Sequence, residues 1–165
     1  MGTSTTLLNT ANFTGRVEWI GIARISGGAV EPQATVELVE NGGIVGEHHY
    51  RRNSRSKRQV TLIQREHMDV VAALLKRESI APEALRRNIV VSGINLATLR
   101  DRSFSIGGAV LTGTGDCPPC ARMEQNLGAG GYAAMVGHGG ITCVVAENGV
   151  ITTGDSVRAM NGADV

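Results

Sequence analysis

The hydrophobic residues of this chain fall mostly into short runs between turn-forming residues, not into long helical stripes. Short runs rich in Val, Ile and Thr and bounded by Gly, Asn or Pro are typical of β-strands. Such runs lie at 16–25, 34–40, 58–63, 88–94, 104–115 and 141–146. The pattern therefore predicts a mainly β protein with six or more strands, and no alternation of strands with long helices is seen.

Two turns are predicted where Asn and Gly adjoin. Asn148-Gly149 separates ITCVVAE from VITTG, and Asn-Gly between two apolar runs is the strongest short-range signal for a β-hairpin. Asn41-Gly42-Gly43 marks a second turn. The 22 glycines of the chain agree with many short strands, because glycine supplies the positive φ angles of tight turns.

Only one segment has the periodicity of a longer helix. In QREHMDVVAALLKRE, residues 64–78, one helical face carries apolar side chains: Met68, Val71, Leu74 and Leu75. We expect this helix to be the longest and to pack against the sheet. Shorter helical turns are predicted at 82–86, where Pro82 suits a first helical position, and at 119–127.

The length and composition indicate one domain. A chain of 165 residues with 42% hydrophobic content can bury one core but is short for two domains. We assign residues 13–165 to this domain and predict that the polar residues 1–12 form a flexible N-terminus.

Charge and cysteine content narrow the functional class. With 16 Lys and Arg against 15 Asp and Glu, the net charge is +1, so no global field attracts nucleic acid, and aromatic residues are only 3% of the chain. No apolar stretch is long enough to span a membrane, and no signal peptide is evident. Three cysteines are too few for a disulfide scaffold. We expect a protein of the reducing cytoplasm, without nucleic-acid or membrane partners.

Four interpretations are open for the cysteine pair in TGTGDCPPCARMEQ, residues 112–125: structural zinc, a redox dithiol, an inert turn or a reactive thiolate. Structural zinc needs four ligands, and the third cysteine, Cys143, stands alone in an apolar run. His48 and His49 could complete a set, but adjacent residues of an extended segment point to opposite sides. We therefore expect no structural zinc.

The other three interpretations differ in how the sulfurs are used. A preceding strand and a following helix suit a thioredoxin-like dithiol. Such domains also need alternating helices and a later proline, whereas all four prolines here lie at or before position 119. A rigid turn is the plainest alternative. In the fourth interpretation, a helix start and Arg122 favour the thiolate of Cys120, which could bind a soft metal or carry sulfur as a persulfide.

Basic and polar residues elsewhere are candidates for an anion site. The segment 47–59, EHHYRRNSRSKRQ, carries five Lys or Arg against one acid. It is either a solvated loop or a cradle for a phosphate-like group, since Arg forks match oxyanions. Arg87 and Asn88 precede a strong strand and also suit a plain helix end. His138 lies in GHGGI, which is equally explained as a turn.

The order of these segments resembles the molybdenum cofactor sulfurase C-terminal domain family, the MOSC domains, in its short stand-alone form. The resemblance covers residues 42–157 and is most specific in RRNIVVSGINL and GTGDCPPCARME. It implies a β-barrel domain with a few short helices. It also implies a reactive cysteine that carries sulfur or binds the molybdenum cofactor, and this cysteine aligns with Cys120.

The resemblance further implies a set of cofactor-binding residues. His49 matches the histidine of the family's Gly-Asp-x-His segment, and Arg87 and Asn88 match its Arg-Asn pair. Glu47 replaces the usual aspartate, and Tyr50 stands where a small residue is common.

On this basis we assign catalytic roles to three residues and cofactor binding to five. Cys120 would carry the sulfur and ligate molybdenum, Cys117 would resolve the persulfide or assist ligation, and Arg122 would stabilise the thiolate. The cofactor-binding set is His49, Arg58, Arg87, Asn88 and His138.

The expected activity is sulfurtransferase-like transfer to, or coordination of, a molybdenum-type cofactor. The alternative is a non-catalytic binding or chaperone-like module. Expected partners are a cysteine desulfurase or another sulfur donor, and a molybdoenzyme or other cofactor acceptor. Pyridoxal phosphate, which serves the sulfurase domains fused to other family members, would come from the partner.

Overall fold

The computed structural model of this protein describes residues 4–9 and 13–161. More of these residues lie in strands than in helices. The strands are β1 (Thr14–Ala23), β2 (Val30–Gln33), β3 (Thr35–Val39), β4 (Gly43–Ile44), β5 (Val60–Gln64), β6 (Ile89–Ser92), β7 (Ser103–Ile106), β8 (Ala109–Asp116), β9 (Ile141–Glu147), β10 (Gly149–Thr152) and β11 (Ser156–Ala159). The helices are α1 (Ser4–Asn9), α2 (Arg65–Leu74), α3 (Pro82–Leu85), α4 (Ala121–Leu127) and α5 (Gly131–Met135), with a 3-10 turn at Leu96–Leu99.

Seven strands close into a β-barrel. Their order is β11, β7, β8, β9, β5, β6 and β1, and pairing of β11 with β1 closes the ring. Only β5 and β6 run parallel. The long strand β1 continues past the barrel to pair with β2. A small sheet of β10, β3 and β4 accompanies the barrel. The predicted mainly β barrel with one longer helix is confirmed.

The core has two layers, one inside the barrel and one beneath the helices. Strand β5 shows why, because all five of its residues are buried and successive side chains point to opposite faces. Leu62 packs inside the barrel, whereas Ile63 packs outward against α2, α4 and α5. The helical layer therefore covers the outer face of β5 and β6.

The strand predictions are confirmed in every run that the pattern marked, and so are the two short helices. The Asn41-Gly42-Gly43 turn joins β3 to β4, and Asn41 and Gly43 have φ of 51° and 107°. The sequence pattern did not reveal β2, α5 or the closing strand β11. Strand β11 has only four residues, of which Val157 alone is buried.

The predicted Asn148-Gly149 hairpin is wrong. β9 does not pair with β10, because β5 and β8 already occupy both edges of β9. β10 pairs with β3 instead. Neither Asn148 nor Gly149 has the positive φ that a type I′ turn requires. Asn148 has a different role, in which its side-chain oxygen accepts a hydrogen bond of 2.6 Å from the backbone N–H of Glu40.

The longest helix lies where it was predicted, but it is shorter, and its buried face differs slightly from the predicted one. It spans Arg65–Leu74, and the chain leaves it at Lys76 with a φ of 55°. Its buried face consists of Met68, Val71 and Ala72. Leu74, which we expected in the core, is 59% exposed.

Within the predicted flexible segment 1–12, Ser4–Asn9 form α1, and the other residues of that segment lie outside the described ones. Among the residues described, no helix has the length and apolar character needed to cross a membrane.

Candidate functional site

A cavity of about 220 Å³ lies where β1 ends and β5 and β6 begin. Because β5 and β6 are parallel and β1 is antiparallel to β6, these three strand ends meet at one edge of the barrel. The β1–β2 loop, the turn at 47–49 and the segment after β8 add the remaining walls. The residues lining the cavity are Ala23, Ser26, Gly27, Val30, Glu47, His48, His49, Arg58, Gln59, Thr61, Arg86, Arg87, Asn88, Cys120, Arg122 and Met123.

The structure brings six of the eight predicted site residues together in this cavity. They are Cys120, Arg122, His49, Arg58, Arg87 and Asn88. Cys117 and His138 do not line it. The fold therefore divides the predicted set into residues that line the cavity and residues that do not.

The two cysteines of the CPPC segment have different surroundings. Cys120 directly precedes α4 and is exposed toward the cavity, whereas Cys117 is only 1% exposed. All three cysteines are free thiols. The prolines between Cys117 and Cys120 disfavour helical backbone at the residues before them, so the pair does not share a helical face. Cys120 is thus the cysteine that a molecule in the cavity can reach.

Glu47 is a buried carboxylate held by four neighbouring groups. Its Oε2 accepts hydrogen bonds from the backbone N–H of Ala23 at 2.7 Å and from Asn88 Nδ2 at 3.4 Å. Its Oε1 lies 2.5 Å from His48 Nδ1 and 3.2 Å from His49 Nδ1. Burial alone would raise the pKa of Glu47, but the bonds to His49 and Ala23 and the two imidazoles bring it below its ordinary value.

The adjacent histidines do not behave as an extended pair. Residues 46–49 form turns, so the rings of His48 and His49 lie on the same side, with centroids 3.9 Å apart. Our reason for separating them, that they point to opposite sides, is wrong. Glu47, His48 and His49 offer ligand atoms within 4.8 Å of one another. The surrounding arginines, however, oppose a divalent cation at this position.

Arg87 lines the cavity, but its guanidinium group donates hydrogen bonds to backbone carbonyl groups. It is 3% exposed and donates to Gly139 O at 2.8 Å, Leu85 O at 3.0 Å and Cys117 O at 3.4 Å. Burial lowers the pKa of Arg87, nearby Cys117 and Cys120 raise it, and Arg58 lowers it. Arg87 therefore connects three segments of the site and adds positive charge near Cys120.

Asn88 is likewise committed to the protein. Its Oδ1 accepts hydrogen bonds from the N–H and hydroxyl of Thr61 at 3.1 and 3.2 Å, and its Nδ2 donates to Gly21 O and Glu47 Oε2. These bonds connect β5, β1 and the turn that carries Glu47. Asn88 lines the cavity, and its side chain also holds the cavity wall together; its contact with a cofactor stays a prediction.

His138 lies away from the cavity. Its Nδ1 is 3.1 Å from Ala134 O, and its ring meets the ring of His67 edge to face with centroids 5.2 Å apart. Burial lowers the pKa of His67, and the neighbouring His138 lowers it further. The two glycines after His138 serve close packing, since an added Cβ at Gly139 or Gly140 would overlap the carbonyl oxygens of Cys117 or Leu62. The interpretation of GHGGI as a turn with an incidental histidine fits this arrangement.

Three arginines give the cavity its free positive charge. Arg58 and Arg122 are exposed and Arg86 is half-buried, and Arg86 also donates to Gly28 O at 2.7 Å. Among the described residues that line the cavity, the single carboxylate is the buried Glu47. The cavity is therefore suited to an anion next to a thiol.

An open trough of about 760 Å³ adjoins the cavity and extends the positive surface. It shares Ser26, Glu47, His48, His49 and Arg58 with the cavity and adds Arg24, Ile25, Arg51, Ser54 and Ser56. A cavity of 220 Å³ is smaller than the roughly 300–1,000 Å³ typical of small-molecule pockets, so a larger ligand would also occupy the trough.

Sequence analysis overlooked several lining residues. His48 was set aside for the wrong geometric reason, although Gly46, with a φ of 89°, indicates a turn just before it. Arg86 was considered only as part of a helix end. Ser26 and Gly27 come from the β1–β2 loop, and no sequence signal connects that loop with the cysteine pair.

A stability prediction follows from Glu47. Because its pKa is lowered in the folded protein, its charge stabilises the fold above its ordinary value of 4.5, and this contribution is lost as the pH falls through the lower folded value. We expect Glu47→Gln to lower the free energy of unfolding by about 1–3 kcal/mol at neutral pH, since hydrogen bonds to a charged group are lost. Below the folded pKa the difference should shrink.

Urea unfolding of both proteins between pH about 7 and about 3 measures this difference. Glu31→Gln is a matched control, because Glu31 forms an exposed ion pair with Arg24 and such pairs contribute about 1 kcal/mol or less. A Glu47→Gln difference that stays constant over the whole pH range would contradict the prediction.

The chain is similar to the members of one known domain family. The sequence profile of the MOSC domain matches residues 45–158. A curated relative from Bacillus subtilis strain 168, "Putative metal-sulfur cluster biosynthesis proteins YuaD", is 28% identical over 116 residues. That match covers 62% of this chain and about 60% of the length of the relative.

Solved structures show the same fold. The YuaD protein of Bacillus subtilis superposes with a TM-score of 0.78 at 25% identity, covering 90% of this chain and 97% of that one. YiiM from Geobacillus stearothermophilus gives 0.70 at 15% identity, covering 89% and 75% of the two chains. YiiM from Escherichia coli gives 0.66 at 16% identity, covering 88% and 70%. With the profile matched over residues 45–158, this chain belongs to the MOSC domain family.

Proposed function

We propose that this MOSC domain accepts a sulfur atom on Cys120 and presents it to a molybdenum-type cofactor, or binds that cofactor through the Cys120 thiolate. The observation that carries the proposal is the placement of Cys120. It is the exposed cysteine of the three, and it opens into a cavity that also holds Arg58, Arg86 and Arg122.

The loading step needs no oxidant. The Cys120 thiolate attacks the terminal sulfur of a donor persulfide, a new S–S bond forms at Cys120, and the donor S–S bond breaks. The donor leaves as a thiolate with the electron pair of the broken bond. The proton of the terminal sulfur stays on that sulfur as it moves to Cys120. Cys120 is thereby converted to a persulfide, and attack on its terminal sulfur by an acceptor nucleophile returns the Cys120 thiolate.

The neighbouring side chains support this step in two ways. Arg58 and Arg122 place positive charge in the cavity that Cys120 also lines, and positive charge stabilises thiolates and other anionic groups. Arg87 and Asn88 hold the cavity wall together through hydrogen bonds to Gly139, Leu85 and Thr61.

The residues present fit a molybdenum-type cofactor by the chemistry of their donors. Cys120 offers a soft sulfur ligand, and the arginines offer forked donors for a phosphate. Such a cofactor, when bound, supplies a metal centre able to hold a sulfur ligand. The name of the Bacillus subtilis relative refers to metal-sulfur cluster biosynthesis, which is also a sulfur-handling role and supports this class of function.

A non-catalytic binding or chaperone-like module is the second candidate, and the arginines favour it independently of the thiol. Those side chains would hold the same anion without any turnover. In either case we propose a cysteine desulfurase or another persulfide donor as one partner and a molybdoenzyme or other cofactor acceptor as the other. Pyridoxal phosphate would belong to the desulfurase.

Intact-mass analysis of the purified protein tests the proposal. The protein is incubated with a cysteine desulfurase and cysteine, or with inorganic polysulfide, and molybdenum is measured on the same sample. We expect the mass to rise by one sulfur atom and to return to its initial value on reduction. Arg58→Gln combined with Arg122→Gln should slow loading by about tenfold, because the thiolate loses its cations.

The two candidate functions give different results. Tight molybdenum binding that persists in Cys120→Ser, without any sulfur adduct on the wild type, would support the binding module. If the wild-type protein carries no sulfur adduct and binds no molybdenum, both candidate functions are refuted.

A further inference from the structure

Three basic side chains at the edge of the site are not used by the proposed chemistry. Arg52, Arg55 and Lys57 are exposed, and they line neither the cavity nor the trough. Together with Arg51 and Arg58 they place five of the 16 Lys and Arg residues within the loop 47–58, although the whole chain has a net charge of only +1. Positive charge is therefore concentrated in this loop.

The protein itself does not neutralise the loop. Within the described part of the chain, no carboxylate forms an ion pair with any of these five side chains. The single acid of the loop, Glu47, is buried against His48 and His49. The positive charge is therefore available to a partner.

The backbone of the loop is held by hydrogen bonds. The N–H groups of Arg51 and Ser54 donate to Gly42 O and Asn41 O in the β3–β4 turn at 3.3 and 2.7 Å. The N–H of Arg58 donates to Ser56 Oγ at 3.1 Å. The basic side chains are thus presented from a fixed backbone, which lowers the entropy cost of binding.

An exposed apolar side chain also lines the trough. Ile25 is 70% exposed in the β1–β2 loop and lines the trough together with Arg24, Arg51 and Arg58. An exposed apolar residue among cationic ones is typical of a protein interface, where an apolar contact is surrounded by a charged rim. Nucleic acid is less suited to this surface, because Tyr50 is the one aromatic residue of the loop.

We infer that Ile25, Arg52, Arg55 and Lys57 form a docking surface for an acidic protein segment that delivers its persulfide to Cys120. This inference rests on the proposed sulfur-carrier function. Long-range attraction would bring the acidic segment to the trough, and the trough leads to the cavity where Cys120 is exposed. The transfer itself is the displacement described above, in which the donor thiolate leaves.

Synthetic donors separate docking from chemistry. Two cysteine peptides of about ten residues are loaded as persulfides, one flanked by Asp and Glu and one by Ser and Gly, and inorganic polysulfide serves as a donor without a docking segment. Second-order rates of Cys120 loading are measured by intact mass. The acidic peptide should react at least about tenfold faster than the neutral one in about 0.02 M salt, and about 0.5 M salt should remove the advantage.

Charge reversal locates the surface. Arg52→Glu, Arg55→Glu and Lys57→Glu combined should abolish the advantage of the acidic peptide in about 0.02 M salt. In about 0.5 M salt, where long-range attraction is screened, they should leave loading by the anionic polysulfide unchanged. The matched control reverses three exposed residues that line neither cavity nor trough, Arg65→Glu, Lys76→Glu and Arg158→Glu, and should keep the advantage. Ile25→Ser should slow the acidic peptide alone.

The possible failures are distinguishable. Equal rates for the two peptides, with normal loading by polysulfide, would overturn the docking surface and leave the carrier function standing. No loading from any donor would refute the carrier function. Binding of a single-stranded oligonucleotide to the loop, tighter than binding of the acidic peptide and lost on charge reversal, would overturn the inference in favour of nucleic acid.

Discussion

Cys120→Ser is expected to abolish sulfur loading, whereas Cys117→Ser only weakens it. Cys120 is exposed in the cavity, whereas Cys117 is 1% exposed and its carbonyl group accepts a hydrogen bond from buried Arg87. Reaction at Cys117 requires local opening of the structure, so Cys120 should be alkylated more than about tenfold faster near neutral pH. Alkylation followed by peptide mass analysis gives both rates, and intact mass gives the loading.

Cys143 supplies the control within the same chain. It is fully buried in β9, and burial raises the pKa of its thiol, so it should react only after unfolding. Equal alkylation of Cys117 and Cys120, or a sulfur adduct on Cys120→Ser, would show that the carrier thiol is assigned to the wrong residue.

The barrel could be predicted from sequence because its signals are local. Most strands alternate buried and exposed side chains or are apolar throughout, and glycine or asparagine marks many of their ends. Strand pairing could not be predicted in the same way, since it depends on which edges are free. The Asn148-Gly149 hairpin fails for this reason, as β5 and β8 had already taken both edges of β9.

Six of the eight predicted site residues line one cavity, but the sequence did not reveal which protein groups their side chains contact. The resemblance implied that Arg87 and Asn88 bind the cofactor, and in the fold their polar atoms also bind backbone and side-chain groups of the protein. His138 was assigned to the same cofactor-binding set as His49, but it packs against His67 and does not line the cavity. Whether a polar side chain faces a ligand or a carbonyl depends on which loops meet it, and this is set by tertiary structure.

Arg87→Met is expected to destabilise the protein by about 3–5 kcal/mol, because removing one partner from a buried charged network leaves several groups unpaired. Three carbonyl groups, of Leu85, Cys117 and Gly139, would lose their donor at once. For a chain of this size the melting temperature should fall by roughly 6–20 °C. Calorimetry and urea unfolding measure the loss.

The neighbouring arginine gives the matched control for this loss. Arg86 is half-buried and donates one hydrogen bond, to Gly28 O, so Arg86→Met should cost no more than about 1.5 kcal/mol. Arg87→Lys keeps the charge but cannot reach three carbonyl groups with one ammonium, and it should fall between the two. Because Arg87 also fixes the carbonyl group of Cys117, Arg87→Met should speed alkylation of Cys117 while the protein is still folded. Similar stability losses at positions 86 and 87, with Cys117 still protected, would show that Arg87 does not hold these segments together.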